Sequence, residues 1–186
     1  MWSLRKVVVG MAVSLDGFVA TVDGGLDWVF PHMDADIRRW IVGSVGQTDT
    51  QLLGRVNYVE QAMYWPGSDE ELAPLINSAA KIVFSATLTD LAQTGQAWEN
   101  SRLATLGVGA EVARLKSQPG KDILVPGGAR FARDVVRQGL VDEYRLIVYP
   151  VALGHGLALF DRPCVLRCLA STLFATGAVA LTYAPA

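Results

Sequence analysis

The 186-residue sequence predicts an α/β fold: a mostly parallel central sheet with helices on both faces and an antiparallel hairpin at its C-terminal end. Three observations carry that expectation. Apolar, β-rich runs alternate with segments of helical spacing. The runs are too uniformly apolar for one of their faces to stand in water, as buried parallel strands require. The last two runs are joined too tightly for a crossover, so they must pair antiparallel.

Taken in order, Lys6 to Val13 is the first run, and it stops at Ser14-Leu15-Asp16-Gly17 without the cleavage pattern of a secretory signal. It reads as a strand. Ile37, Trp40, Ile41 and Val45, spaced i, i+3, i+4 and i+8, predict a helix. Thr50 to Leu53 is the next strand, followed through Gly54-Arg55 by a helix on Val56, Val59 and Met63. Ser68 to Glu71 has the form of a capping box. Lys81 to Ser85 is a strand, and Gly109 to Lys116 a short helix ended by Pro119-Gly120. Asp122 to Val125 then leads into a helix on Ala129, Ala132, Val135 and Val136 that stops at Gly139. Tyr144 to Val151 is the most apolar strand, and Val165 to Ala175 pairs with Ala178 to Tyr183 through Thr176-Gly177. With no repeat and no Pro- or Ser-rich linker, residues 1–186 are expected to form one domain.

Hydrophobic residues make up 51% and charged residues 18%, with a formal net charge of -2, which excludes a disordered chain and an electrostatic nucleic-acid binder. Cys164 and Cys168 lie far from His32 and His155, so no metal site or disulfide framework follows, and two reduced thiols on one face of a strand in a cytoplasmic protein are expected. The uncharged tail from Leu169 is broken by Gly177 and Pro185 and reads as a closing hairpin, not a membrane span.

In open sheets of this kind ligands sit at the carboxyl ends of the strands, and three strand-to-helix junctions there carry chemistry. Ile123-Leu124-Val125-Pro126-Gly127-Gly128-Ala129-Arg130-Phe131 runs a strand through paired glycines into a helix. Such a pair lets backbone N–H groups approach an anion, and the helix dipole favours a phosphate; the pair equally makes a tight turn and nothing more. Arg130 and Arg133 add cationic reach or surface ion pairs. In Leu52-Leu53-Gly54-Arg55 a cation stands at a helix N-terminus, against the dipole, a conflict that an anionic ligand resolves. Ile82-Val83-Phe84-Ser85-Ala86-Thr87 ends a strand in hydroxyl donors. A dinucleotide phosphate is the simplest ligand spanning all three, although the first strand is followed by Ser14-Leu15-Asp16-Gly17-Phe18 and not by a Gly-x-Gly-x-x-Gly turn.

These residues, with Met11 to Phe18, Asn57-Tyr58, Trp65-Pro66, Gly139-Leu140-Val141-Asp142-Glu143, Pro150-Val151 and Leu153-Gly154-His155-Gly156, resemble the dihydrofolate reductase-like family, which includes the reductase domain of riboflavin biosynthesis and small stand-alone bacterial proteins. The resemblance spans nearly the whole chain. It implies a three-layer α/β/α sandwich and NADPH lying across the sheet. Gly54, Arg55 and Ser85 would hold the 2′-phosphate end, Gly127, Gly128, Ala129 and Arg130 the pyrophosphate, and Ala12 the nicotinamide carboxamide, with Val19 and Ala20 closing over the ring and Phe84, Pro126 and Phe131 also touching the cofactor. Three departures stand out. Ala86 replaces an Arg that many relatives use on the 2′-phosphate. Val125 replaces the acidic substrate-binding residue of the riboflavin-pathway reductases. The early-helix carboxylate of the folate reductases has two counterparts, Asp34 and Asp36.

Asp36, one turn before Trp40, is the candidate proton-supporting carboxylate and Asp16 a second, although helix capping and turn formation select the same residue types. Trp28, Trp40 and Tyr58, with Trp65, are candidates to line a planar-ring substrate pocket or are core. The expected activity is hydride transfer from NADPH to a C=N or C=O of a small pterin- or pyrimidine-like molecule, with an NADP(H)-binding sensor or scaffold as the alternative. A homodimer is expected, covering a sheet edge around Tyr144 to Val151.

Overall fold

The computed structural model describes residues 4–186. Ten strands alternate with five helices: β1 (Val7–Ser14), β2 (Phe18–Ala20), α1 (Ala35–Val45), β3 (Thr48–Gly54), α2 (Arg55–Tyr64), α3 (Ala73–Ser78), β4 (Ala80–Phe84), β5 (Ser101–Leu103), α4 (Val108–Lys116), β6 (Asp122–Val125), α5 (Ala129–Arg137), β7 (Glu143–Tyr149), β8 (Leu157–Ala158), β9 (Leu166–Leu173) and β10 (Val179–Pro185). Eight of them form one sheet in the order β5-β4-β3-β6-β1-β7-β10-β9, and β2 and β8 form a separate ribbon. From β5 to β7 every pairing is parallel; β10 is antiparallel to both of its neighbours.

Alternate residues of the same strands feed two cores, which is why the runs read as continuously apolar. Val7, Val9, Leu52, Ile82, Ile123 and Val125 pack with α4 and α5 through Val112, Leu115, Ala132 and Val135. Val8, Leu53, Val83 and Leu124 pack on the other face with Tyr58, Ala62 and Ile76 of α2 and α3. A third cluster places Ile37 of α1 against Ile147, Tyr149 and Ala180. Burying each of the Val, Leu and Ile side chains contributes roughly 1.5–3 kcal/mol, so both faces are needed for the sheet and the result is three layers.

Two charged side chains are fully buried, Lys81 on β4 and Glu111 on α4. Lys81 donates from Nζ to the carbonyls of Asn77 (2.6 Å) and Glu99 (3.0 Å) and lies 4.3 Å from the Trp98 ring centroid. Burial pushes its ammonium down to about 8. Glu111 is held by Arg102 and Arg114.

Several expectations are corrected. Ser68 and Glu71 form no capping box: the helix starts later, at Ala73, because Pro74 suits a first helical turn, and Ser68 Oγ only accepts from Glu70 N (3.3 Å). Tyr144 to Val151 is not near an edge, since β7 lies between β1 and β10; the exposed edge strand is β9, flanked and lined by Val165, Leu169 and Leu173. Cys168 lies on β9, whereas Cys164 precedes it, and both thiols are free and exposed. Strands β2, β5 and β8, two or three residues each, are too short to show a period in the sequence. Among the described residues no helix is long and apolar enough to cross a membrane, and no cluster of His, Cys, Asp and Glu could hold a metal.

Candidate functional site

The parallel strands end on one rim, and β6 is the shortest of the three at its centre. It pairs with β1 only over Val7 to Val9 and with β3 only over Thr48 to Gln51, while β1 runs on to Ser14 and β3 to Gly54. Beyond Val125 the chain turns into Pro126-Gly127-Gly128, so a slot opens between the upper halves of β1 and β3, with the glycine turn as its floor. The edge of β1 from Gly10 to Ser14 that faces the slot has no strand partner among the described residues; its other edge is taken by β7.

Two helices start at this slot, and glycine is the N-cap of both: Gly54 for α2 and Gly128 for α5. Neither has a side-chain cap, so the N–H groups of both first turns are unspent, and both helix dipoles place positive potential there. Space dictates the glycines. A Cβ on Gly54 would lie 3.1 Å from Phe131 Cβ, one on Gly127 3.3 Å from Asn57 Nδ2, and one on Gly128 3.2 Å from Asn57 Cβ. Gly128 also has φ +74°, which L side chains rarely adopt. A cradle that a Cβ would fill, faced by free N–H groups, fits a pyrophosphate.

The second and third junctions converge. Arg55, exposed, donates to Thr87 Oγ1 at 3.3 Å, and Ser85 Oγ accepts from Thr87 N (3.2 Å) and Leu88 N (3.1 Å), which leaves its own proton to donate. Beside them lies a groove of about 400 Å3 lined by Ser85, Ala86, Leu106, Val108 and the stacked rings of Phe84 and Phe131 (5.2 Å, 23°). Its apolar walls suit a planar ring, and Asp134 on its border is an acceptor for an amino group. Pro126 is half-buried in the turn, Ala129 is buried, and Arg130 projects into solvent from the first turn of α5. Arg133 does not reach toward the slot: its Nε donates to the carbonyl of Ala158 on β8 (2.9 Å).

Ala12 is half-buried and faces the cluster of Ile37, Ile147 and Tyr149. Val19 and Ala20 lie on β2, 1% and 6% exposed, in the ribbon beside β1. Trp28 meets Tyr149 edge-on (5.9 Å, 87°), and its buried Nε1–H has no hydrogen-bond partner among the described residues.

Five side chains are placed differently from expectation. Tyr58 is fully buried against Trp98 in the α2 layer and lines no slot. Its neighbour Asn57 faces the glycine turn instead, with Oδ1 accepting from Gln61 Nε2 (2.8 Å). Trp40 lines a different groove, with Glu143, Arg145 and Thr182, toward the amino end of β7, while Trp65 packs beside the Tyr58 core. Asp36 is solvent-exposed and paired with Arg39 (2.7 Å); the inward positions of α1 go to Ile37 and Ile41, and Asp34 is the N-cap, accepting from Ile37 N (2.8 Å). Asp16 accepts from Ser14 Oγ (2.6 Å), Leu153 N (3.0 Å) and Gly154 N (2.6 Å); the serine bond above all lowers its carboxyl to about 2. It holds no proton to give at neutral pH, and it fastens the loop after β1 to the loop after β7. Asn57 was missed because spacing along a helix start does not say which of two neighbours turns toward a ligand.

The profile of the RibD C-terminal domain family matches residues 5–180. The chain is 33% identical over 187 aligned positions to the uncharacterized protein YyaP of Bacillus subtilis (strain 168), covering 96% of this chain and 94% of that one. It is 28% identical to the riboflavin biosynthesis protein RibD of Corynebacterium ammoniagenes, over 84% of this chain and 46% of that protein. Among solved structures, RibD of Acinetobacter baumannii superposes with a TM-score of 0.72 at 16% identity, over 98% of this chain and 58% of that one, a likeness of fold.

Proposed function

This chain belongs to the RibD C-terminal domain family, with its dihydrofolate reductase-like fold, and from that premise we propose that it is an NADPH-dependent reductase acting on a C=N or C=O of a small planar heterocycle. The observation that carries the reading is the slot itself, where two uncapped helix N-termini meet at glycines whose Cβ atoms would crowd Phe131 and Asn57. NADPH, when bound, supplies the hydride.

The chain's own residues divide the remaining work. The N–H groups after Gly127 and Gly128, with the Asn57 amide, hold the pyrophosphate; Arg55, Ser85 and Thr87 hold the 2′-phosphate; the groove of Ala86, Leu106 and Val108 takes the adenine. The unpaired edge of β1 at Ala12 takes the carboxamide, and Val19 and Ala20 keep water from the ring. Trp28 offers a wall and an N–H donor to the substrate, a good match for a ring carbonyl or ring nitrogen. Neither Asp16 nor Asp36 supplies the proton, which comes from solvent. Val125 is fully buried and apolar, so the position before the glycine turn offers no carboxylate to a polyhydroxylated amine side chain, which favours an unsubstituted heterocycle over a ribosylated one. Titration of tryptophan fluorescence with NADPH, followed by NADPH oxidation over a panel of pterins, pyrimidines and cyclic imines, tests the reading. Tight binding with no oxidation by any of them would turn it toward a cofactor-binding sensor.

A further inference from the structure

Helix α5 touches two parts of the molecule that the sequence keeps apart. Its N-terminus forms the glycine turn, and its flank grips the segment from Ala158 to Arg162. Arg133 donates from Nε to the Ala158 carbonyl (2.9 Å), Arg137 pairs with Asp161 through Nε (2.6 Å), and Arg162 donates to the carbonyl of Arg137. Ala158 belongs to β8, and β8 pairs with β2, Phe18 opposite Ala158 and Ala20 opposite Leu157. The two strands are pressed together at Gly156, where a Cβ would collide with the Ala20 carbonyl and lie 3.1 Å from Phe18 Cβ. At the other end Asp16 holds the N–H groups of Leu153 and Gly154. Val19 shares the apolar core with Ala129 and Ala132 of α5, and the polar link from the cover strand to the helix runs through β8 and one half-buried arginine.

We propose that Arg133 is a positioning residue that couples the phosphate-holding end of α5 to the β2–β8 ribbon, so that seating the cofactor phosphates sets Val19 and Ala20 over the reacting ring. What lies beneath the ribbon rests on the function proposed above; the fastening itself does not. A helix of nine residues moves as a rigid piece, and a charge-assisted bond from a half-buried guanidinium to a strand carbonyl carries its displacement to the ribbon. Arg137 and Arg162 act further along, where the chain has left β8, so of these three arginines only Arg133 bonds to the paired strand, beside the apolar packing of Leu157 in the core that α5 shares.

The test uses Arg133→Met, which keeps an apolar stem without the donor, Arg133→Lys, which restores a donor, and Gly156→Ala, which pushes the ribbon apart without touching α5. In the ligand-free protein, amide hydrogen exchange at residues 18–20 and 157–158 should quicken about tenfold in Arg133→Met and in Gly156→Ala, and much less in Arg133→Lys, with β4 unchanged. Dissociation constants are then measured for NADPH and for 2′-phospho-ADP-ribose, which has the phosphates but no nicotinamide. Arg133→Met should weaken NADPH about tenfold and leave 2′-phospho-ADP-ribose unchanged. Equal losses for both ligands, or no change in ribbon exchange, would overturn the coupling. If the unaltered protein binds neither ligand, the proposed function fails, and the exchange result still decides whether Arg133 fastens the ribbon.

Discussion

Replacing Gly127 by Ala separates a phosphate cradle from a mere turn more cleanly than any change at Gly128. Gly128 has φ +74°, so a side chain there costs about 1–2 kcal/mol of backbone strain and crowds Asn57 as well; loss of binding would be confused with loss of fold. Gly127 has no such φ, and a methyl group placed on it would meet Asn57 Nδ2 at 3.3 Å, the far end of a side chain that can give by a few tenths of an ångström. The fold should lose well under 1 kcal/mol, within the range of surface substitutions. The methyl group nevertheless stands where an anion must reach the N–H groups of the turn. Losing one charge-assisted bond of about 1.5–3 kcal/mol weakens NADPH roughly tenfold to hundredfold. Fluorescence titration gives the dissociation constant, and a urea melt of the same sample gives the stability. An unchanged dissociation constant in a variant of unchanged stability would refute the cradle and leave Gly127 as turn geometry alone.

Arg55→Ala should weaken NADPH by a similar factor and leave NADH almost untouched if, as proposed, the cluster of Arg55, Ser85 and Thr87 holds the 2′-phosphate; equal losses would assign Arg55 to the fold. Stability should rise with pH between about 8 and 10. The unfolded state holds the Lys81 proton through that window and the folded state does not, which amounts to about 3 kcal/mol in full, and the rise should vanish in Lys81→Met when urea midpoints are compared across the window. Above pH 10 the trend should reverse as the unfolded state loses the protons of Tyr144 and Tyr149, both held up to about 12 by burial. The exposed edge at Val165, Leu169 and Leu173 should pair two chains, so sedimentation is expected to give a dimer that Leu169→Lys converts to monomer; a monomer at micromolar concentration from the outset would contradict this.

The parts that were legible in the sequence are those in which backbone chemistry restricts residue type. Gly54, Gly127 and Gly128 mark places where a Cβ would crowd Phe131 or Asn57, and Gly128 also has a φ that L side chains rarely adopt, so these positions stand out as glycine in the sequence. The strands buried on both faces show as apolar runs for a similar reason, since each residue of Val7-Val8-Val9 enters one core or the other. Side-chain direction left no comparable mark. Asn57 and Tyr58 are neighbours on α2, and a step of 100° between them decides that one meets the glycine turn and the other Trp98. Asp34 and Asp36 both suit a helix start, and only the packing of Ile37 shows that Asp36 points away from the site. The β2–β8 ribbon was invisible because two- and three-residue strands carry no period, although the Asp16-Gly17 turn and the Gly154-His155-Gly156 bend flank it in the sequence.

Thermal unfolding in the presence of NADPH and of NADH shows whether the slot between β1 and β3 binds a phosphorylated dinucleotide. At a hundredfold excess over its dissociation constant NADPH should add about 2.7 kcal/mol to the stability of the folded chain, seen as a rise in Tm of several degrees, with a smaller rise for NADH at the same concentration. No rise with either nucleotide at millimolar concentration would contradict the account.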